Sequence, residues 1–203
     1  MPPEIILAFD TSAAHCAAAL LSGDRIALKQ ESMDKGQAER LIPLLEELLS
    51  ESGLGWQDLT ALAVGTGPGN FTGVRISVAA ARGLALGLGI PAIGVTRLEA
   101  LAHGLPRPIT VIEDARRGEV YVQSFDAEPG PARLAQPDAL GDVTPLQTGS
   151  GAQAGLPPAM PLVEAIARIA ATRTNAAHPR PAPFYLRGAD AAPPSDPPPV
   201  ILP

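Results

Sequence analysis

Two turns in this chain carry side chains that suit phosphate or metal chemistry. The first, DTS at residues 10–12, supplies a carboxylate and two hydroxyls directly after a short apolar run. The second, GTGPGNFTGVR at residues 65–75, links another apolar run to a long helix-forming stretch. Glycines there let a phosphate reach backbone N–H groups, but they equally let two backbone segments pack closely. Both alternatives stay open on residue types alone. The candidate nucleotide or phosphate residues are Asp10, Thr11, Ser12, Gly67 and Gly69.

Sequence signatures of better-known catalytic sites do not occur. No Gly-Lys-Ser/Thr follows the glycine-rich turn as in a P-loop, and Thr72 stands where the dinucleotide fingerprint needs its third glycine. His15, His103 and His178 lie far apart, so no two have the spacing of a helical metal pair. Cys16 has no nearby histidine in a nucleophile arrangement, which favours a small core residue. We therefore predict no catalytic residue, metal site or cofactor in this chain.

One further carboxylate leaves an alternative open. Asp114 ends the first predicted strand of the second half, as Asp10 ends the first strand of the first half. In a two-lobed fold with a cleft, those two turns would face one another and could hold a magnesium nucleotide. Aspartate is also an ordinary turn residue. The alternative function is thus a magnesium-nucleotide-dependent small-molecule kinase or hydrolase.

Apolar periodicity predicts strands and helices in a repeated order. The first half predicts strands at 5–10, 16–21, 25–30, 61–64 and 91–95, with helices at 36–52, 71–88 and 96–103. The second half predicts strands at 109–113, 119–125, 132–135 and 145–150, with a helix at 162–172. The same plan in both halves indicates two lobes. The predicted divisions are an N-terminal lobe at 1–104, a smaller C-terminal lobe at 105–187, and a proline-rich tail at 188–203 that we expect to be disordered.

The helix predicted at 71–88 indicates an interface. Its only charges are Arg75 and Arg82, so it must be covered on nearly all sides, and one sheet covers only one. The first helix, another subunit, or both must cover the rest. Leu44, off the main stripe of the first helix, belongs either to a wide core face or to a face that awaits a partner. The predicted contact residues are Ala38, Leu41, Leu45, Leu48, Val74, Ser77, Val78, Ala81 and Arg82.

Composition narrows the function classes. The formal net charge is −6, which argues against a chain that grips nucleic acid unaided. A single cysteine among 203 residues fits a reducing compartment. The N-terminus has no basic segment before its apolar run, unlike a signal peptide, and the most apolar window is broken by arginines, glycines and a proline. We expect a cytoplasmic protein.

Five stretches, in order, resemble one protein family. They are ILAFDTS at 6–12, GTGPGNFTGVR at 65–75, IGVT at 93–96, DARRGEVY at 114–121 and YLR at 185–187. Together they are similar to the TsaB (YeaZ) family, the non-catalytic subunit of the bacterial complex that makes N6-threonylcarbamoyladenosine at adenosine 37 of tRNA. The match runs from about residue 4 to 187, and residues 126–176 match poorly.

The resemblance implies an α/β, actin-like (ASKHA, ribonuclease H-like) fold with two related lobes, the second reduced. It implies that a TsaD-type catalytic subunit carries the metal-binding histidines and the nucleotide site, and that a TsaE-type ATPase completes the complex. This chain would support TsaD by forming a heterodimer through its first-lobe helices, and would form a homodimer in isolation. It would meet tRNA only through the complex. Some relatives were once labelled proteases, and no residue here supports protease chemistry.

A third hypothesis rests on the tail alone. A proline-rich segment can recruit a domain with an aromatic groove, which would make the chain an interaction module.

Overall fold

The computed structural model describes residues 4–141 and 143–187, and the tail predicted at 188–203 lies outside them. Within these residues the strands are β1 (Ile5–Asp10), β2 (His15–Ser22), β3 (Arg25–Ser32), β4 (Ala61–Gly65), β5 (Ala92–Val95), β6 (Ile109–Asp114), β7 (Val120–Phe125), β8 (Arg133–Ala135) and β9 (Gln147–Thr148). The α-helices are α1 (Gln37–Glu51), α2 (Phe71–Leu88), α3 (Arg97–Ala102) and α4 (Leu162–Ala171). Each lies where the periodicity predicts it, within a few residues.

The strands form two sheets of related plan. The first has the order β3-β2-β1-β4-β5, in which β1 pairs antiparallel with β2 and in parallel with β4. The second has the order β8-β7-β6-β9, in which β6 pairs antiparallel with β7 and in parallel with β9. In each sheet the first strand of that half of the chain is an inner strand, with an antiparallel neighbour on one side and a parallel neighbour on the other. The second sheet repeats the first four strands of the first sheet, and no strand among the described residues corresponds to β5.

Helices cover both faces of the first sheet. Alternate residues of β1 point to opposite faces, so Leu7 and Phe9 pack with α1 and α2, whereas Ile6 and Ala8 pack with α4. The leucines of α1 fill the first of these layers, and Leu44 among them is fully buried. The core alternative for Leu44 is therefore confirmed. Pro43 lies inside α1, on its exposed side, and the helix continues past it to Glu51.

Helices α3 and α4 each pack against the sheet that is formed by the other half of the chain. Helix α3, which follows the first sheet in sequence, packs through Leu98, Leu101 and Ala102 against Ile109 and Val111 of the second sheet. Helix α4, which follows the second sheet, packs against the first sheet. Helices α3 and α4 also contact one another. The division between residues 104 and 105 stays a prediction, but a cut there would separate each helix from the sheet that buries it.

Candidate functional site

The glycine-rich turn joins the end of β4 to the start of α2. Asn70 caps the helix, because its side chain accepts a hydrogen bond from Gly73 N at 3.0 Å. Gly67 has a φ of +89°, which an L side chain rarely adopts. The turn is also hydrogen-bonded to the connection between β5 and α3, because Arg97 N donates to Gly67 O at 2.7 Å. The turn therefore fixes where α2 leaves the sheet.

The space beside this turn is filled by the DTS turn of the same chain. Asn70 N donates to Ser12 O at 2.7 Å, and Thr11 Oγ1 donates to Gly73 O at 2.6 Å. A Cβ atom at Gly69 would lie 2.5 Å from Ser12 O, and one at Gly73 would lie 1.9 Å from Thr11 O. These glycines let two backbone segments touch. The observed contacts are those of the packing alternative.

The Asp10 carboxylate is buried and already bonded. Its Oδ1 accepts hydrogen bonds from Ser12 N at 3.1 Å, Ser12 Oγ at 2.9 Å and His15 Nε2 at 2.9 Å. Burial alone would raise the pKa of Asp10, but the bonds from His15 and Ser12 and the charges of His15 and Arg97 outweigh burial and lower that pKa. A Cβ atom at residue 65 would lie 2.0 Å from Asp10 Oδ2, so a side chain there would displace the carboxylate. The chain itself supplies the partners that a ligand would otherwise provide.

The second acidic turn presents a different residue from the one that the sequence singled out. Asp114 is exposed, and its side chain accepts from Arg116 N at 3.0 Å. The neighbouring Glu113 is only 6% exposed and binds Arg97, with Arg97 Nη2 2.7 Å from Glu113 Oε1. This ion pair joins the start of α3 to the end of β6. Sequence patterns did not indicate Arg97 or Glu113, because a pair across two elements has no local spacing.

Seven of the nine predicted contact residues lie in the chain's own core. They are Leu41, Leu45, Leu48, Val74, Ser77, Val78 and Ala81, each at most 3% exposed. In the single chain the first sheet covers the apolar stripes of α1 and α2, so these residues face the sheet. Their assignment as contact residues stays a prediction. Ala38 and Arg82 are exposed.

Within the part of the chain that the structure describes, the opposite side of α2 is largely exposed to solvent. Its exposed positions recur at three- and four-residue spacing and form one stripe, which we call the open face of α2. Leu86 on this face is 84% exposed. By length and composition α2 could also span a membrane, a criterion that core helices also meet, and 28% of it is buried in this structure. The open face consists of Phe71, Thr72, Arg75, Ala79, Arg82, Gly83, Leu86 and Gly87.

The C-terminal segment crosses the first turn of α2. Phe184 N donates to Thr66 O at 2.8 Å, and Arg75 Nε donates to Tyr185 Oη at 2.9 Å. The Arg75 guanidinium also lies 3.7 Å from the centroid of the Phe71 ring. Thus the FTGVR and YLR stretches, more than a hundred residues apart, meet through their aromatic and arginine side chains.

Among the described residues no group of three or more His, Cys, Asp or Glu could hold a metal ion.

Comparison with known proteins places the chain in a family. A family model described as "TsaD: tRNA N6-adenosine threonylcarbamoyltransferase" matches residues 29–189. The chain is 40% identical over 128 residues to the tRNA threonylcarbamoyladenosine biosynthesis protein TsaB of Escherichia coli (strain K12), covering 61% of this chain and 55% of that protein. The chain belongs to the TsaB (YeaZ) family. The TsaB of Bacillus subtilis (strain 168) is 38% identical over 140 residues, covering 66% of this chain and 60% of that protein.

The fold agrees with a solved structure of the family. YeaZ from Pseudomonas aeruginosa superposes with a TM-score of 0.73 at 29% identity, covering 90% of this chain and 100% of that chain. The fold is the actin-like α/β fold with two related lobes, the second smaller, as the resemblance implied. The matched part spans little more than half of the two curated TsaB proteins.

Proposed function

We propose that this TsaB-family chain is a non-catalytic accessory subunit for the formation of N6-threonylcarbamoyladenosine at adenosine 37 of tRNA. Its role is to support a TsaD-type catalytic subunit. The names of its relatives and the family model support this proposal. The site geometry agrees with it, because the buried Asp10 carboxylate at the end of β1 is satisfied by its own chain.

The observation that carries the proposal is the open face of α2. An 18-residue helix with a mean hydropathy of 1.3 presents one face to solvent instead of burying it. Small residues on that face, Ala79 and Gly83 among them, let another helix approach closely, and Leu86 offers an apolar anchor. Such a face fits a helix of a second subunit. Of the contact residues predicted from the sequence, Arg82 lies on this face.

Other parts of the proposal follow from this role. A TsaE-type ATPase completes the complex, the nucleotide and metal belong to the partner subunits, and the protein works in the cytoplasm. A chain with a net charge of −6 meets tRNA through the complex. In the absence of TsaD the open face pairs with that of a second copy.

The test is to place a charge on the open face without disturbing the fold. We expect Ala79→Glu to weaken heterodimer formation with the TsaD-type subunit at least about tenfold, because a carboxylate would be desolvated in an apolar interface. Arg75 and Arg82, at i−4 and i+3, support the new carboxylate in the free chain. Ala127→Glu, at an exposed position between β7 and β8, is the matched control.

Affinity is measured by calorimetry, and tRNA modification by nucleoside mass spectrometry of the reconstituted complex. Unchanged assembly and modification with Ala79→Glu would refute the open face as the interface. Modification of tRNA by the isolated chain would refute the accessory role. Magnesium-dependent ATP binding that is lost on Asp10→Ala would instead support the kinase or hydrolase alternative.

A further inference from the structure

A groove lies between the last turns of α2 and the C-terminal segment. Its volume is about 480 Å³, within the range of small-molecule sites. Three separate parts of the chain form it: α2, the connection from α2 to β5, and residues 178–181. The lining residues are Arg82, Gly83, Ala85, Leu86, Ile90, Pro91, Ala92, His178, Arg180 and Pro181.

Two cations of this groove lack partners. Within residues 4–141 and 143–187, neither Arg82 nor Arg180 has a hydrogen bond or an ion pair, and no carboxylate lines the groove. Several other arginines of this acidic chain are paired with glutamates, such as Arg40 with Glu31 and Arg187 with Glu119. Two unpaired guanidiniums in one groove create a local positive potential.

A third polar group of the groove is also unsatisfied. His178 Nδ1 is shielded from solvent and has no hydrogen-bond partner in the described part of the chain. Because this nitrogen is shielded from solvent, the exposed charged groups of the groove are the two arginines. The remaining wall is aliphatic, with Ile90 and Pro181 on opposite segments and Leu86 at the exposed end.

We propose that this groove binds a small phosphate monoester, with its phosphate between Arg82 and Arg180 and its apolar body against the aliphatic wall. The guanidinium fork matches phosphate oxygens in pairs, and two guanidiniums balance the two charges of a monoester. Because both arginines are exposed, solvent and salt screen them, so the affinity should be modest and should fall as salt rises.

The inference does not depend on the proposed function, because the isolated chain can be titrated. The probe is phenyl phosphate, followed by calorimetry and by NMR chemical shifts. We expect saturation below a concentration on the order of 10 mM. Inorganic phosphate, which lacks the body, and phenylacetate, which carries a single charge, should each bind at least about threefold more weakly.

The groove is tested by neutralising its arginines. The double variant Arg82→Gln/Arg180→Gln should lose at least about tenfold in affinity for phenyl phosphate. Arg25→Gln, which removes an exposed charge from β3, is the matched control and should bind as the parent chain does. An unchanged affinity in the double variant, or no saturation by phenyl phosphate, would overturn the proposal.

Comparing phenyl phosphate with inorganic phosphate and with phenylacetate tests whether the groove selects a phosphate monoester. Equal affinity for inorganic phosphate would mean an adventitious ion only, and equal affinity for phenylacetate would mean that the site does not select phosphate. Either result would overturn the proposal. Phosphate binding is measured on the isolated parent chain and subunit assembly on the complex, so a failure of the subunit interface is distinguishable from a failure of this site.

Discussion

The contact between Gly73 and Thr11 gives the sharpest prediction about stability. A Cβ atom at residue 73 would lie 1.9 Å from Thr11 O and 3.0 Å from Thr11 C, and both are backbone atoms. A carbon atom and an oxygen atom that are not covalently bonded normally stay at least about 3.3 Å apart. In Gly73→Ala the DTS turn must therefore move by roughly 1.4 Å relative to α2.

Several opposing contributions set the magnitude. Overpacking of this kind costs about 1–3 kcal/mol. The movement also breaks the bond from Thr11 Oγ1 to Gly73 O and the bond from Asn70 N to Ser12 O, at about 1 kcal/mol each. Alanine in place of glycine favours the helix by about 1 kcal/mol. The net loss of unfolding free energy should be about 2–4 kcal/mol, or roughly 4–16 °C in Tm.

Gly83→Ala is the matched control, because the same change occurs in the same helix. A Cβ atom at Gly83 meets no atom within 4 Å, so only the helix preference acts, and stability should rise by up to about 1 kcal/mol. Urea denaturation followed by circular dichroism measures both variants. If Gly73→Ala is as stable as Gly83→Ala, the glycine is not required by the contact between the two turns.

Three further predictions concern buried groups. The pKa of Asp10 in the folded chain lies below its unfolded value, so its ionised form stabilises the fold above about pH 4 and this contribution is lost as pH falls further; Asp10→Asn should flatten the fall of unfolding free energy between about pH 5 and pH 2. Glu113→Ala leaves Arg97 and Ser150 N without their acceptor and should cost about 3 kcal/mol in urea denaturation, whereas Glu113→Gln should cost less. Burial raises the pKa of the Cys16 thiol to about 11, so a thiol reagent at neutral pH should label it only after unfolding, and fast native labelling would contradict this.

Local patterns predicted the elements of this fold because they depend on neighbours in sequence. The leucine spacing predicted α1, and the Thr96-to-Glu99 capping pattern predicted α3, where Thr96 Oγ1 accepts from Glu99 N at 3.2 Å. The repeat of strand order likewise predicted two lobes. These features need no knowledge of what lies across the core.

Sequence patterns did not predict which side of a helix meets which neighbour. The stripe through Leu45 is the most apolar side of α1, and the stripe through Val78 is the most apolar side of α2, so both face the sheet. The less apolar stripe of α2, through Ala79, is left exposed. The pairing of Arg97 with Glu113 was equally hidden, because it depends on how α3 sits against β6. Both are decided by tertiary packing, which periodicity does not encode.

Because α4 packs against the sheet of the other half of the chain, the order of synthesis affects when that sheet is covered. One face of the first sheet stays bare until α4, at residues 162–171, has left the ribosome. After β5 ends at Val95, about 70 more residues must be made, which takes roughly 4–15 s at the usual rate of elongation. During that interval a newly made apolar sheet surface waits for a helix encoded at the far end of the chain. The nascent first half is therefore where we expect a holdase chaperone to bind.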